Sequence, residues 1–144
     1  MSKKSSSPHQ SSLILVWSYL ALFIVNTVVV FLASVIFPLY VVLGTFNLTT
    51  SWSLIHSMSL LALANVFVIP FIREYEHRAG KMFTNNQWMA LYFVLNFIAV
   101  WVIARFADQV GFGISSWLVA AVLAVVLNVV QAIVMMGLEK FRTK

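Results

Sequence analysis

The sequence predicts an all-α membrane protein in which four transmembrane helices form two tandem helical hairpins. Of its 144 residues, 62% are hydrophobic and only 9% are charged, whereas soluble domains contain roughly 45–50% apolar residues. Several runs reach the ~20 apolar residues that are needed to cross ~30 Å of hydrocarbon. One polar stretch, residues 73–81, divides the apolar sequence into two halves. A water-soluble fold is therefore excluded.

The first helix is predicted over residues 13–38 and ends at Pro38. Its apolar run is about twice as long as the 7–15-residue hydrophobic region of a signal peptide, so we expect it to be retained. The preceding residues 1–12 are rich in serine and include Lys3 and Lys4. Because they have too little apolar surface to bury, we predict a disordered cytoplasmic tail.

The second helix is predicted over residues 52–72, with Thr49, Thr50 or Ser51 as the N-cap. Pro70 falls in its last predicted turn. Since proline cannot donate a backbone hydrogen bond, we expect it to bend or loosen this end of the helix.

The second hairpin repeats the helix–loop–helix pattern. Residues 84–87 have the form of a capping box, and the third helix is predicted over residues 87–107. The fourth helix is predicted over residues 116–138, and residues 139–144 form a basic cytoplasmic tail. A segment from Gly44 to Trp52 is echoed by one from Gly111 to Trp117, which indicates an internal repeat of a two-helix unit.

Basic residues are distributed unevenly across the two predicted sides of the membrane. Only Arg105 lies on one side. The other side holds the topology determinants Lys3, Lys4, Arg73, Arg78, Lys81, Lys140 and Arg142. The positive-inside rule therefore places both termini in the cytoplasm. These cations are expected to contact anionic lipid headgroups, and nucleic acid is not an expected partner.

Each predicted helix carries a side-chain amide within the membrane. These residues are Asn26, Asn65, Asn96 and Asn128, with Gln131 in addition on the fourth helix. An unpartnered buried amide costs on the order of 1–3 kcal/mol, so all five are expected to face other helices. They either form interhelical hydrogen bonds or line a water-filled path.

A four-residue repeat on the fourth helix places the small residues Ser116, Ala120, Ala124 and Ala132 on one face together with Asn128. Such a face lets helices approach closely. It is expected to pack against the second or third helix of the same chain, or against another copy in a homo-oligomer.

Three further polar side chains lie near the outer side. Arg105 and Asp108 are three residues apart, a spacing that allows an ion pair at the outer end of the third helix. This pair is expected to anchor the helix or to line a mouth. His56 is expected to be a hydrogen-bonded structural residue, because the other two histidines lie too far away to share a metal.

Catalytic chemistry finds little support in the sequence. The chain has no cysteine, and its four carboxylates all lie at the predicted membrane flanks. A proton-coupled transporter that depends on an embedded acid is therefore disfavoured. No nucleophile, base and acid fall together on one side. We expect no enzymatic activity, no cofactor and no metal.

Short motifs resemble a known family. They are Asn65 followed by Pro70, then Asn96, Gly111-Phe112, Ile114 and Trp117. Together they resemble the bacterial four-transmembrane-helix family that is named after mycobacterial phage holins. The resemblance implies a small multi-pass protein of the bacterial inner membrane, and the holin name implies a membrane pore.

Three hypotheses about function follow from these features. The first is a non-enzymatic membrane protein that acts through helix–helix association, as an assembly or envelope-associated partner. The alternative is a holin-like oligomeric pore or small-solute channel that the four asparagines line. A third is a lipid-handling enzyme or transporter that uses His56.

Overall fold

The computed structural model describes the backbone of residues 8–142 and the side chains of residues 12–138 and Lys140. Helices dominate it. In chain order, the elements are α1 (Pro8–Ile36), β1 (Val41–Leu43), α2 (Thr50–Ala79), α3 (Asn85–Arg105), α4 (Ala107–Val110), β2 (Phe112–Ile114) and α5 (Trp117–Arg142).

Four of the helices are long and apolar enough to cross a bilayer. The candidate spans are Ser12–Ile36, Thr50–Ala79, Asn85–Arg105 and Trp117–Leu138. The predicted fold class, an all-α membrane protein with four transmembrane helices, is confirmed.

The helices form two antiparallel hairpins, α1 with α2 and α3 with α5. The hairpins pack side by side, because α1 also contacts α5 and α2 also contacts α3. The bundle therefore has two distinct ends. We call the end that carries β1 and β2 the strand end, and the end at which Gly80–Phe83 connects α2 to α3 the turn end.

Local capping fixes where the central helices begin and end. The Thr49 side chain accepts the backbone N–H of Trp52, as an N-cap residue does. Before α3, the predicted capping box is confirmed, since Thr84 and Gln87 each bond the other's backbone N–H. Gly80 ends α2 in the left-handed conformation (φ +67°).

Helix α2 extends beyond the predicted membrane span of residues 52–72, and the i,i+4 order of Glu74 and Arg78 predicts such a cytoplasmic extension. It passes Pro70 without a break and continues to Ala79. The extension includes a salt bridge in which Arg78 Nε lies 2.7 Å from Glu74 Oε1. Proline removes one donor, but this favourable i,i+4 pair and the Gly80 cap support the polar turns that follow.

The outer helices also extend beyond their predicted limits. Helix α1 begins at Pro8, so residues 8–12 are helical and not the predicted disordered tail; proline is well suited to a first helical turn. Residues 1–7, including Lys3 and Lys4, lie outside the described residues. Helix α5 continues to Arg142, into the predicted tail of residues 139–144, whose last two residues are likewise outside the description.

A pair of short strands joins the loop between α1 and α2 to the segment between α3 and α5. The sequence did not predict this pair. Strand β1 pairs antiparallel with β2, with Val42 opposite Gly113. Beside them, the Gly44 N–H donates to the Gly111 carbonyl at 2.7 Å. Three-residue strands are too short to produce a readable alternation of apolar and polar residues.

Gly111 is required by its surroundings. Its φ is +77°, and a Cβ placed there would lie 1.9 Å from Ser53 Oγ on α2. Gly44 follows its strand whereas Gly111 precedes its own, so the echoed glycines hold different positions in the two loops. The internal repeat remains a prediction.

The hydrophobic core lies in the strand-end half of the bundle. Its central residues are Val30, Val41, Leu54, Met58, Leu61, Val100, Phe112, Ala120, Leu123 and Leu127. Phe112 and Val41 come from the two strands, and Phe112 is fully buried. The paired loops therefore close this end of the bundle with apolar side chains.

Candidate functional site: an amide chain and a turn-end cavity

Three buried amides form a continuous hydrogen-bonded chain across the bundle. Asn96 Nδ2 on α3 donates to Gln131 Oε1 on α5 at 2.9 Å. Gln131 Nε2 in turn donates to Asn26 Oδ1 on α1 at 2.7 Å. All three side chains are buried. Gln131 thus links both hairpins through polar contacts inside the chain.

Asn65, the amide of α2, does not join this chain. It is fully buried, yet neither its Nδ2 nor its Oδ1 has a hydrogen-bond partner within the described residues. One atom each of Asn26 and Asn96 is also unpaired. Unsatisfied buried amide atoms cost free energy, and a polar space that is large enough holds water in most proteins.

Asn128 lies apart from the other amides. Its Nδ2 donates to the Met89 carbonyl on α3 at 2.9 Å, and its side chain is half-buried. Three of the five predicted amides are therefore brought together, while Asn65 and Asn128 have separate surroundings. Gln131 and not Asn128 occupies the central position on α5.

A cavity of about 720 Å³ opens at the turn end of the bundle. All four long helices contribute to it. Its lining residues are Leu22, Ile69, Arg73, Glu76, Met82, Phe83, Asn85, Trp88, Met89, Tyr92, Asn128, Gln131, Ala132, Met135 and Met136. Because Gln131 lies both in this wall and in the amide chain, the cavity extends to the level of the buried amides.

Methionine is concentrated in this cavity. The chain has six methionines, and four of them, Met82, Met89, Met135 and Met136, line it. Flexible thioether side chains adapt to differently shaped ligands and are frequent on promiscuous binding surfaces. Sequence reasoning missed this site. The available signal was the position of all four methionines beside the predicted cytoplasmic ends of the helices.

The rim of the cavity combines charge with aromatic rings. Glu76 Oε1 accepts the backbone N–H of Phe83 at 2.7 Å and so ties α2 to the turn. Arg73 forms no ion pair with any described carboxylate. Trp88 contacts both Phe83 and Tyr92. The rim therefore holds a guanidinium and a carboxylate that do not pair with each other, above a largely apolar wall.

The predicted ion pair between Arg105 and Asp108 is not formed. Instead, the Arg105 guanidinium lies 4.3 Å from the centre of the Trp101 ring, a cation–π contact. Helix α3 ends at Arg105, and Asp108 belongs to the separate helix α4. Because the helix breaks between the two residues, their side chains do not share the helical face that the i,i+3 spacing requires. Arg105 and Trp101 line a strand-end groove of about 580 Å³.

The small residues of α5 have unequal surroundings. Ala120 and Ala124 are fully buried, whereas Ser116 is exposed and Ala132 lines the cavity. Helix α5 packs mainly against α3 and α1. The close-packed part of this face is therefore used inside the chain.

The remaining predicted residues lie at the two ends of the bundle. His56 is exposed, and its ring makes an edge contact with Trp52 at 4.9 Å. No three described histidine or acidic side chains group as a metal site would require.

The basic residues predicted to determine topology lie at opposite ends of the bundle. The turn end holds Arg73, Arg78, Lys81 and Lys140, and the strand end holds Arg105. The side chain of Arg142 is outside the described set.

Comparisons with family models, with characterised proteins and with solved structures find no match for this chain. The resemblance to the holin-named family therefore remains a prediction. Fold and composition define the class: an integral, multi-pass membrane protein with four transmembrane helices.

Proposed function

We propose that this protein is a non-enzymatic membrane protein that acts by non-covalent association at its turn end, as an assembly or envelope-associated partner. The observation that carries the proposal is the cavity of about 720 Å³ at that end. At the opposite end, Phe112 and Val41 fill the space between the helices, and the groove of about 580 Å³ there is lined only by α3 and residues 114–117. The turn-end cavity, in contrast, is lined by all four long helices.

The faces that the sequence assigned to helix association are occupied within the chain. Gln131 bonds Asn26 and Asn96, and Ala120 and Ala124 are fully buried. Neither set is free to meet another protein. The cavity, in contrast, has adaptable methionine side chains and accessible polar groups, the combination found in binding sites.

The positive-inside rule gives the proposal an orientation. Among the basic residues whose side chains the structure describes, Arg73, Arg78, Lys81 and Lys140 lie at the turn end and Arg105 at the strand end. We therefore place the turn end and both termini in the cytoplasm. The cavity then opens to the cytoplasmic side of a bacterial inner membrane.

Site-specific photo-crosslinking in native membranes tests the association. A benzophenone amino acid at position 135 lies in the cavity wall, and we expect it to give a defined covalent adduct. The substitution Ala132→Phe fills the cavity and should abolish the adduct. The matched control is Val125→Phe, at an exposed position of the same helix, which should retain it. An adduct that survives Ala132→Phe, or no adduct in the parent protein, refutes association at this cavity.

A holin-like oligomeric pore or small-solute channel is the second candidate. Asn65 favours it, because an amide that is fully buried without a partner belongs more naturally beside water than in a dry core. In this case, induced expression should depolarise the membrane and release dye, and Asn65→Leu should prevent both. Expression without leakage removes the candidate.

A further inference from the structure

We propose that the turn-end cavity binds the headgroup and one acyl chain of an anionic phospholipid, with the phosphate at Arg73 and the chain along the methionine wall. This inference rests on the proposed function, because it names the class of molecule that associates at the cavity. Its evidence is the charge of the rim, the chemistry of the wall and the size of the space.

The rim carries one guanidinium, Arg73, and one carboxylate, Glu76, and the guanidinium is the group that an anionic headgroup would bind. Arg73 has no carboxylate partner among the described residues, and a guanidinium donates to phosphate oxygens in a bidentate manner. Glu76 is the acidic residue of the rim, and its Oε1 already accepts the Phe83 N–H. Asn85 adds a side-chain amide donor.

The wall below the rim suits an acyl chain. Nine of the fifteen lining residues are apolar: Leu22, Ile69, Met82, Phe83, Trp88, Met89, Ala132, Met135 and Met136. A free soluble anion would occupy the rim and leave this wall in contact with water. An amphiphile matches both parts, because its headgroup meets Arg73 while its chain covers the apolar side chains.

The size of the cavity argues against a protein helix as the occupant. A helix 10–12 Å in diameter occupies roughly 400–600 Å³ per turn of 5.4 Å. The cavity of about 720 Å³ therefore accommodates less than two turns. It lies within the range of about 300–1,000 Å³ that is typical of small-ligand sites.

Selective photolabelling tests this inference in the full-length protein. The methionines are replaced biosynthetically by photo-methionine, and the protein is placed in vesicles of equal parts phosphatidylglycerol and phosphatidylcholine with the same acyl chains. After irradiation, mass spectrometry counts the adducts of each lipid at position 135. We expect phosphatidylglycerol adducts in about fivefold excess, the ratio that corresponds to ~1 kcal/mol per basic residue near a membrane surface. Met58 is the internal control, because it is fully buried in the strand-end core and should remain unlabelled.

Substitutions at two arginines identify the group responsible. Arg73→Gln should return the ratio to that of the vesicles, and Arg73→Lys should keep most of the selectivity. The control Arg78→Gln removes the same charge from an arginine that is paired with Glu74 and is not in the cavity lining, so it should change little. Since Arg73 is exposed, its substitution is not expected to impair folding.

Each result decides the proposal. Equal labelling by both lipids, or selectivity that persists in Arg73→Gln, overturns the anionic lipid but leaves association at the cavity intact. Crosslinks to protein without lipid adducts also overturn it and favour a protein partner. The absence of any adduct at position 135 refutes both the lipid and the association.

Discussion

The two halves of this bundle are built from the same four helices but are filled differently. In the strand-end half, Phe112 and Val41 from the paired loops fill the space between the helices. In the turn-end half, residues 80–84 connect two of the helices, and no strand enters the bundle within residues 8–142. A cavity of about 720 Å³ remains there. The comparison shows that the paired loops, not the helices, fill the space between the helices at the strand end, where the groove of about 580 Å³ is confined to α3 and residues 114–117.

The largest expected difference between the halves is in the stability lost when one large side chain of each half is truncated. Phe112→Ala removes a fully buried ring and should lower the free energy of unfolding by about 3–5 kcal/mol. Met135→Ala acts on a half-buried side chain in the cavity wall and should cost less than the ~2 kcal/mol lower limit for a core methionine. Unfolding in mixed micelles by added SDS measures both. Equal losses of unfolding free energy would mean that the turn-end half is packed as densely as the strand-end half.

Two glycines with positive φ provide the second comparison. At Gly111, an added Cβ meets the Ser53 side chain, so Gly111→Ala should cost about 2–5 kcal/mol from strain and overpacking together. At Gly80, no atom lies within 4 Å of such a Cβ, and the same change should cost only about 1–2 kcal/mol. The midpoint of thermal aggregation in detergent ranks the two variants. If Gly80→Ala lowers this midpoint more than Gly111→Ala does, Gly111 does not lie as close to Ser53 of α2 as the structure shows.

The amides at the boundary between the halves provide a third comparison. Gln131→Leu removes two buried hydrogen bonds and leaves Asn26 and Asn96 unpaired, so it should cost roughly 2–4 kcal/mol. Asn128→Leu removes one bond, to the Met89 carbonyl, and should cost about 0.6 kcal/mol. The same unfolding assay applies. If Asn128→Leu lost more stability than Gln131→Leu, the assignment of Gln131 as the central polar residue of α5 would be wrong.

The last expected effect is a gain in stability. Because Asn65 is fully buried without a partner in the described residues, Asn65→Leu removes an unsatisfied amide and should raise the free energy of unfolding by about 1 kcal/mol. Destabilisation would indicate that Asn65 bonds internal water, which would strengthen the pore hypothesis.

The helices and their caps were predictable because their signals are local. The capping box at Thr84 and Gln87 and the N-cap at Thr49 are confirmed by the structure, and each depends on residues within a few positions of one another. Composition and run length were sufficient to predict the membrane fold. Helix α2 extends beyond its predicted end because the Glu74–Arg78 pair and Gly80 support additional turns past Pro70.

The candidate site depends on relations between helices that the sequence does not encode locally. All five amides were predicted to face other helices, but the sequence does not show which amide of α5 joins the buried chain. Gln131 and Asn128 lie three residues apart on α5, and only the tilt and depth of this helix place Gln131 between Asn26 and Asn96. The strand pair arises from contacts between loops that are distant in sequence. The cavity is a space between helices, and its lining is apparent only once they are placed.

Accessibility of single cysteines tests most directly the claim that one end is closed and the other open. The chain has no cysteine of its own, so Ala132→Cys in the cavity wall and Ala124→Cys in the buried α5 face can be made without background. Right-side-out and inverted vesicles are treated with a membrane-impermeant maleimide. We predict that Ala132→Cys reacts from the side of residues 73–81 and that Ala124→Cys reacts from neither side. Labelling of Ala124→Cys from the strand end, or labelling of Ala132→Cys only from that end, would contradict the account.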